Sequence, residues 1–322
     1  MCTAISLDGK HHLFGRTLDV DRPYGEEIIV VPRNHTLAFR HESPKGTHPG
    51  LIGIGCVRNG IPLFFDAINE SGLYAAGLNF PISAKYHPFA SGKHNIASFE
   101  FITWILSECE TLYAAKELLK NTNITDDIFS NELSPTPLHW LIADKSGSIA
   151  VESLPDGLKI HENKFGVLTN EPPFEYHSAH IADFIQLTPD APKNIICPEQ
   201  EIMPYSRGMG AIGLPGDFSS ASRFVRAFFV KTHCEAISEN DEINRFFHVT
   251  DSVSVPFGCV KNENGKNMYT RYASCADTEN SCYYFTTYNC RKIRFVKADN
   301  NFFDSKDLSV VPLDSSQEIM TV

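Results

Sequence analysis

The order of the elements that the sequence predicts is typical of an α+β protein. Strand patterns run to residue 80, helical patterns follow at 98–109 and 111–119, and strand patterns return at 138–169. Strands and helices do not alternate, as a parallel sheet built from βαβ units would require. These observations predict an α+β fold.

A β-hairpin is predicted at the start of the chain. Side chains alternate from residue 2 to residue 8, Asp8-Gly9-Lys10 has turn chemistry, and residues 11–16 are extended again. Such a hairpin would hold the N-terminus rigidly in a sheet, whereas most termini fray.

The remaining elements follow from apolar periodicity. Further strands are predicted at 26–32, 51–57, 63–66, 73–80, 138–144, 148–152, 158–161, 166–169, 268–275, 281–288 and 292–297. Further helices are predicted at 174–185, 219–234 and 242–253. Ser98 is the expected N-cap of the first helix, and the polar, proline-containing residues 121–137 are expected to form a surface loop.

Length and composition are those of one globular domain that spans residues 1–322. Hydrophobic residues make up 42% of the chain and charged residues 21%, which is enough apolar material for a full core. The sequence contains no repeat, low-complexity tract or change of composition that would mark a second domain.

The charge of the chain argues against a polyanionic partner. Its net charge is −11, and its longest run of basic residues is the pair Arg291-Lys292, so we expect no nucleic-acid partner. No segment has the pattern of a secretory signal, and no apolar run approaches the roughly 18 residues of a membrane span. We therefore expect a cytoplasmic protein without a membrane partner.

The nine cysteines are expected to be free thiols in a reducing compartment. Their spacing includes no CxxC pair and no zinc pattern, and the 13 histidines include no HExxH sequence. We expect neither a metal nor any other cofactor.

Residues 208–213, Gly-Met-Gly-Ala-Ile-Gly, satisfy the GxGxxG pattern. A dinucleotide site needs a strand directly before this pattern and a helix directly after it. The flanking residues 204–207 and 214–216 predict neither, so we interpret the segment as a flexible loop. A dinucleotide-binding oxidoreductase remains the alternative.

Cys2 is the first candidate for chemistry. If an aminopeptidase removes Met1, residue 2 presents a thiol and a free α-amine, which is a nucleophile with its own base. A cysteine also follows a start methionine by chance in many proteins. The predicted hairpin favours a functional terminus, because it would hold the thiol in place.

Arg16 and Asp19 lie at the end of the second strand. An ordinary surface pair is one interpretation. The hairpin register would also return this strand end to Cys2, where Arg16 would lower the thiol pKa from about 8.5 and Asp19 would accept a hydrogen bond from the α-amine.

Asn79 and Asn170 each end a predicted strand just before a proline-containing turn. Turn formation alone would explain them. A side-chain amide near a nucleophile is also what acyl transfer needs to stabilise a tetrahedral oxyanion. Arg223 lies beside the apolar stripe of the 219–234 helix, and a partly buried arginine needs an anion; an ordinary salt bridge is the alternative.

Six blocks, spread in order over nearly the whole chain, form a composite pattern. They are residues 1–3 (MCT), 14–19 (FGRTLD), 65–70 (FDAINE), 76–81 (AGLNFP), 168–170 (LTN) and 213–224 (GLPGDFSSASRF). Together they resemble the choloylglycine hydrolase family of N-terminal-nucleophile hydrolases, which contains bile salt hydrolases and penicillin V acylases.

The resemblance implies a four-layer αββα sandwich of two antiparallel sheets between helix layers, and a homotetramer. It implies that loss of Met1 exposes the nucleophile at Cys2, with an oxyanion hole at Asn79 and Asn170. The full set of implied catalytic positions is Cys2, Arg16, Asp19, Asn79, Asn170 and Arg223.

The implied activity is hydrolysis of glycine- or taurine-conjugated bile salts through a thioester. Bile salt hydrolases typically carry asparagine at the position of Asn79, and penicillin V acylases carry tyrosine. The alternatives are a penicillin V or N-acyl-homoserine-lactone acylase and a non-catalytic module that binds bile salts.

The steroid part of such a substrate needs an apolar wall, which the 23 phenylalanines and 11 tyrosines of the chain would supply. Candidate substrate-binding residues are Tyr24, Phe65, Leu133 and Arg207. Arg207 would pair with a sulfonate, which favours taurine conjugates.

Overall fold

The computed structural model describes residues 1–130, 136–238, 241–313, 316–317 and 319. Within these ranges the strands are β1 (Cys2–Leu7), β2 (Leu13–Val20), β3 (Glu27–Val31), β4 (Leu51–Arg58), β5 (Ile61–Asn69), β6 (Tyr74–Asn79), β7 (His94–Ala97), β8 (Thr122–Thr125), β9 (Leu138–Asp144), β10 (Gly147–Leu154), β11 (Gly157–Glu162), β12 (Val167–Leu168), β13 (Val260–Lys261), β14 (Asn267–Asp277), β15 (Cys282–Thr287), β16 (Cys290–Lys297) and β17 (Ser309–Pro312). The helices are α1 (Phe101–Glu108), α2 (Leu112–Leu119), α3 (Phe174–His180), α4 (Ser220–His233), α5 (Glu242–Asp251) and α6 (Asn300–Phe303), with 3₁₀ turns at Ile181–Phe184 and Met209–Ala211.

Two antiparallel sheets form the centre of the fold. Sheet A has the order β12-β1-β2-β14-β15-β16, with β13 paired to β14. Sheet B has the order β11-β10-β9-β6-β5-β4-β3-β17. The strand β1 lies between β2 and β12, so the N-terminus is inside a sheet, as the hairpin pattern predicted.

Each sheet is covered on both faces, which explains its continuous apolar runs. In β3, Ile28 belongs to the core between the sheets, whereas the next residue, Ile29, belongs to the core shared with Phe101 of α1. In β1, Ala4 faces the core between the sheets, and Ile5 packs with α5. The period-2 alternation of a strand therefore sends neighbouring side chains into different cores.

The layers run in the order α1 and α2, sheet B, sheet A, α4 and α5. This confirms the α+β class and the αββα sandwich of two antiparallel sheets between helices. One domain over residues 1–322 stays a prediction. Among the described helices, none is both long enough and apolar enough to cross a membrane.

Two local predictions are wrong. Residues 122–125 are not loop but the buried strand β8, which pairs in parallel with β7. Three of the four side chains are polar, and the backbone groups are satisfied by pairing with a distant strand and not by solvent. Ser98 does not cap α1, because the N-cap position is Glu100, whose carboxylate accepts a hydrogen bond from the backbone of Ala97.

Candidate active site

The chain terminus is tied to the end of β2. Cys2 pairs with Leu18, and its side chain is only 3% exposed. With Met1 attached, the Met1 amino group donates to the backbone oxygen of Asp19 at 2.7 Å, and the Asp19 N–H donates to the Met1 oxygen at 3.0 Å. Residue 2 is therefore held as rigidly as an interior strand residue.

Asn170 lies at the centre of the contacts around Cys2. Its Oδ1 accepts from the Cys2 backbone nitrogen at 2.7 Å and from Nη2 of Arg223 at 2.7 Å. Its Nδ2 donates to the backbone oxygen of Asn79 at 2.7 Å. Because arginine only donates hydrogen bonds, Arg223 fixes which end of the Asn170 amide carries the oxygen.

Arg223 is fully buried near the start of α4. Its guanidinium donates to the backbone oxygen of Cys2 at 2.5 Å and to Oγ1 of Thr3 at 2.7 Å. Nε donates to the backbone oxygen of Phe218 at 3.0 Å. No salt bridge to Arg223 occurs within the described ranges, so neutral oxygens take the place of the anion that the sequence led us to expect.

The charge of Arg223 is nevertheless influenced by its neighbours. Burial lowers the pKa of Arg223, while the nearby Asp19 and Cys2 oppose that effect. A guanidinium in contact with the Cys2 backbone stabilises negative charge on the adjacent thiol.

Arg16 is also fully buried. Its guanidinium donates to the backbone oxygens of Thr17 at 3.2 Å, of Phe65 at 3.0 Å and of Gly77. Burial opposes its charge, but Cys2, two tyrosines and Asp66 raise the pKa of Arg16 overall. Arg16 is therefore a permanent cation whose charge acts on the Cys2 thiol. Contrary to the prediction from the sequence, it does not end the second strand, because β2 continues to Val20 and Arg16 pairs with Ala4.

Asp66, on β5, was not a candidate from the sequence. Its carboxylate accepts from the hydroxyls of Tyr272 at 2.7 Å, Ser274 at 2.7 Å, Tyr74 at 3.3 Å and Tyr283. Burial raises the pKa of Asp66, and the charge of Arg16 opposes this. The carboxylate thus supplies the counter-charge for Arg16 in the core between the sheets. In the sequence it is one of two polar residues in a largely apolar strand, and this does not reveal what it contacts.

Asp66→Asn is expected to destabilise the fold by about 3 kcal/mol, because it leaves the buried Arg16 charge without its counter-charge. Urea unfolding followed by circular dichroism would measure the loss. Asp156→Asn is the control, since Asp156 is exposed and forms a surface ion pair with Lys159. Equal stabilities of the two variants would contradict the assignment.

Asp19 lies beside the terminus, but its carboxylate has other partners while Met1 is attached. It accepts from Oγ1 of Thr270 at 2.6 Å and from Oγ1 of Thr17 at 3.5 Å. The Cys2 nitrogen instead donates to Asn170. A hydrogen bond from a free Cys2 α-amine to Asp19 stays a prediction for the processed chain.

Asn79 is the last residue of β6, and its side chain is exposed. Its backbone oxygen receives the Asn170 amide, so the ends of β6 and β12 meet next to Cys2. The two strand ends belong to different sheets, and only the sandwich brings them together.

Three of the four candidate substrate-binding residues lie within the described ranges, and two of them, Tyr24 and Phe65, contact each other. Tyr24 is 39% exposed, and its ring contacts that of Phe65 edge-on at 6.2 Å. The backbone oxygen of Phe65 also accepts from Arg16, which joins this aromatic pair to the site. Arg207 is exposed and, within the described ranges, forms no hydrogen bond with Cys2, Asn170 or Arg223. Leu133 lies outside the described residues.

The GxGxxG segment has no dinucleotide geometry. Gly208 has a positive φ of 77°, and residues 209–211 form a 3₁₀ turn. Among the described residues no strand lies directly before the segment, since the preceding strand, β12, ends at Leu168, and the following helix, α4, begins only at Ser220. The pyrophosphate contact of a helix N-terminus therefore has no counterpart at these glycines.

His177, on α3, is a buried residue that the sequence did not single out. Its Nε2 donates to the backbone oxygen of Asn170 at 3.0 Å, and its ring stacks on Phe224 at 5.0 Å. Burial lowers the pKa of His177 to about 4. The histidine is therefore neutral at physiological pH and supports the strand end that carries Asn170.

His177 is expected to make the fold acid-sensitive. The unfolded chain takes up the histidine proton near pH 6.5, whereas the folded chain does so only near pH 4. Between these values the unfolded state binds more protons, so stability is complete above pH 6.5 and falls as the pH decreases, by up to roughly 3 kcal/mol. Urea unfolding at pH 7 and pH 4.5 should show a smaller acid loss for His177→Gln than for wild type; equal losses would refute this.

One group in the described ranges brings three potential metal ligands together. His11, Asp277 and Glu279 place ligand atoms within 4.8 Å of one another, beyond the turn end of the β1–β2 hairpin. The Asp277 carboxylate already accepts from the backbone of Glu279 at 3.0 Å and of Asn280 at 3.1 Å. These hydrogen bonds of the 277–280 turn explain why Asp277 and Glu279 lie close together. The cluster lies at the opposite end of the hairpin from Cys2.

Comparison with known proteins agrees with this architecture. A crystal structure of a conjugated bile acid hydrolase variant from Clostridium perfringens superposes with a TM-score of 0.92 at 32% identity over 100% of both chains. A penicillin V acylase from Agrobacterium tumefaciens shares the fold, with a TM-score of 0.76 at 20% identity over 98% of this chain and 92% of that one.

Two curated relatives are similar over nearly their full lengths. A "Bile salt hydrolase/transferase" of Lactiplantibacillus plantarum is 38% identical over 100% of both chains. A "Conjugated bile acid hydrolase" of Lactobacillus gasseri is 35% identical over 96% of this chain and 99% of the relative. Residues 2–311 match the family described as linear amide C-N hydrolases, choloylglycine hydrolase family. The chain therefore belongs to the choloylglycine hydrolase family.

Proposed function

We propose that the protein hydrolyses the amide bond of glycine- or taurine-conjugated bile salts, with Cys2 as the nucleophile. The observation that carries the proposal is the buried set of Cys2, Asn170 and Arg223, joined by hydrogen bonds of 2.5–2.7 Å, with the Arg16 charge beside it. Full-length relatives named as bile acid hydrolases support the choice of substrate.

The first step requires a free amine on Cys2. While Met1 is attached, the Cys2 nitrogen is an amide and has no proton-accepting lone pair. After Met1 is removed, the α-amine, with an ordinary pKa of about 7.7–8.0, accepts the thiol proton near neutral pH. Arg16 and Arg223 stabilise the resulting thiolate electrostatically.

The thiolate then attacks the substrate carbonyl carbon and places negative charge on its oxygen. The Asn170 side chain has two N–H groups, of which one donates to the Asn79 backbone. The second N–H and the residue-79 strand end would form the oxyanion hole. Asn170 does not have to reorient for this task, because Arg223 already holds its oxygen end.

Collapse of the tetrahedral intermediate completes acylation. The C–N bond breaks, the Cys2 ammonium gives its proton to the departing glycine or taurine nitrogen, and the acyl group remains on sulfur as a thioester. The α-amine then takes a proton from water, which attacks the thioester and releases the free bile acid. The thiol is restored, and the cycle requires no cofactor.

Substrate choice would be tested with purified, processed enzyme on taurocholate, glycocholate and a phenoxyacetyl amide, with ninhydrin detection of the released amine. Faster cleavage of bile salts supports the proposal. Preference for the phenoxyacetyl amide would indicate a penicillin V acylase. Cleavage of an N-acyl-homoserine lactone would indicate an N-acyl-homoserine-lactone acylase. Bile-salt binding without amine release, indifferent to Cys2→Ala, would identify a non-catalytic binding module.

We further propose a preference for taurine conjugates through Arg207, whose exposed guanidinium would pair with the sulfonate. The edge-on pair Tyr24 and Phe65 would contact the steroid. Arg207→Ala is expected to raise KM for taurocholate about threefold to tenfold and to leave glycocholate nearly unchanged. Equal or better turnover of glycocholate that survives Arg207→Ala would refute this preference.

The assembly and the compartment are also proposals. Family membership supports a homotetramer, which light scattering coupled to gel filtration would measure. A cytoplasmic location agrees with nine free cysteines, eight of which have no part in the proposed mechanism.

A further inference from the structure

The two strand ends at the candidate oxyanion hole come from different sheets. Asn79 ends β6 of sheet B and Phe80 follows it, whereas Thr169 and Asn170 follow β12 of sheet A. A donor pair of this kind works only if its separation is fixed to within about 0.5 Å. The structure must therefore contain groups that hold the two ends relative to each other.

His139, on β9, contacts both ends. Its Nε2 lies 2.9 Å from the backbone oxygen of Thr169, directly before Asn170. Its ring stacks face to face on Phe80, directly after Asn79, with a centroid distance of 4.2 Å and an angle of 5°. Both rings are fully buried, so neither contact competes with water.

Glu152, on the neighbouring strand β10, sets the direction of the imidazole. Its Oε1 lies 2.9 Å from Nδ1 of His139 and accepts the backbone N–H of Phe174 at 3.0 Å. The Thr169 oxygen is only an acceptor, so Nε2 of His139 must carry a proton. Nδ1 faces the carboxylate. Both side chains are 0% exposed.

We propose that His139, oriented by Glu152, is a positioning residue for the oxyanion hole. It acts through Asn170 and the Asn79 strand end and does not touch the substrate. A buried ionisable pair is a costly way to stabilise a core, since apolar residues of equal volume often stabilise as well. The presence of the His139–Glu152 pair is explained if the imidazole holds both strand ends, through its hydrogen bond to Thr169 and its stacking on Phe80. The inference rests on the proposed function of Asn79 and Asn170.

The decisive comparison is His139→Leu in a Glu152→Gln background against Glu152→Gln alone. With glutamine at position 152, removal of His139 leaves no unpaired buried carboxylate. In the single variant the glutamine amide still faces Nδ1 of His139, so the two variants differ only in the imidazole. We expect kcat to fall at least about tenfold, with KM within about twofold. In an Asn170→Ala background the same change should lower kcat by less than about twofold, because the group through which His139 acts is already missing.

A second measurement separates positioning from general damage. Alkylation of Cys2 by iodoacetamide is a displacement at a saturated carbon and needs no oxyanion hole. Its rate should therefore be equal in the two proteins. His48→Leu is the matched control, because His48 is also buried and its two ring nitrogens lie 2.7 Å and 2.8 Å from the loop carbonyl oxygens of Pro49 and His35. This control should leave kcat unchanged.

The assay uses whichever amide the wild type cleaves. If the wild type cleaves another amide but no bile salt, the proposed substrate is overturned, and the role of His139 can still be tested. Wild type without any amide hydrolysis would overturn both. If wild type is active and Asn170→Ala is impaired, equal kcat with and without His139 overturns only the inference. A parallel fall of kcat and alkylation rate would also overturn it, since the loss would then reflect structural damage.

Discussion

Cys2→Ala is expected to abolish amide hydrolysis, with a fall in kcat of at least about 10⁴-fold, because no other group at the site can form the acyl intermediate. The fold should be retained, since the change removes one sulfur atom from a strand that both neighbours hold. Steady-state hydrolysis of taurocholate and mass spectrometry of the trapped thioester would measure the effect.

Cys109→Ala is the matched control for this change. Cys109 is also buried, and burial raises its pKa to about 12, so its thiolate is negligible at neutral pH. Its replacement should leave kcat unchanged. Residual activity in Cys2→Ala above that of a heat-inactivated sample would contradict the assignment of the nucleophile.

The intact mass of the active enzyme tests whether removal of Met1 is required. The intact mass of the active enzyme should lack one methionine, because the Cys2 nitrogen becomes basic only when the Met1 peptide bond is cleaved. An added N-terminal sequence that blocks this cleavage should leave the protein folded and inactive. A fully active chain that retains Met1 would overturn the function assigned to the terminus.

Asn170→Ala is expected to lower kcat about 10²-fold to 10³-fold, or on the order of 3 kcal/mol of transition-state stabilisation. The change removes the amide N–H proposed for the oxyanion, and it also removes the acceptor shared by the Cys2 nitrogen and Arg223. KM should change little, because the lost interactions strengthen mainly in the transition state. Steady-state kinetics on one conjugated bile salt would measure both constants.

Asn69→Ala is a suitable control for Asn170. The Asn69 amide is equally buried and donates to the backbone of Leu106 and of Cys109 at the end of α1, on the other face of sheet B. It should lower the melting temperature while kcat stays near the wild-type value. If both variants lose the same fraction of kcat, the loss at Asn170 reflects stability and not the oxyanion.

The local features of the site follow from the sequence because they depend on neighbours in the chain. Alternation and the turn at Asp8-Gly9-Lys10 predict the hairpin, and its register places the end of strand two beside Cys2. Strand-end positions single out Asn79 and Asn170, and a cation in an apolar helix singles out Arg223. The composite pattern of six blocks predicts the family and the αββα sandwich.

Only the tertiary structure showed what supports these residues. Asp66, which offsets the Arg16 charge, and His139, which contacts both strand ends, carry no local signal, because one polar residue in a buried strand looks the same whatever it faces. The strand β8 was missed for a related reason, since its polar residues are satisfied by pairing with a distant segment.

The sequence by itself therefore predicted which strand and helix ends carry the proposed chemistry, since periodicity and turn residues act over a few positions. The packing of two sheets decided how these ends meet, and which buried charges and hydrogen bonds hold them there. Those partners lie up to 258 residues apart, as in the bond from the Arg16 backbone to Ser274, and pairing at that range depends on the whole fold.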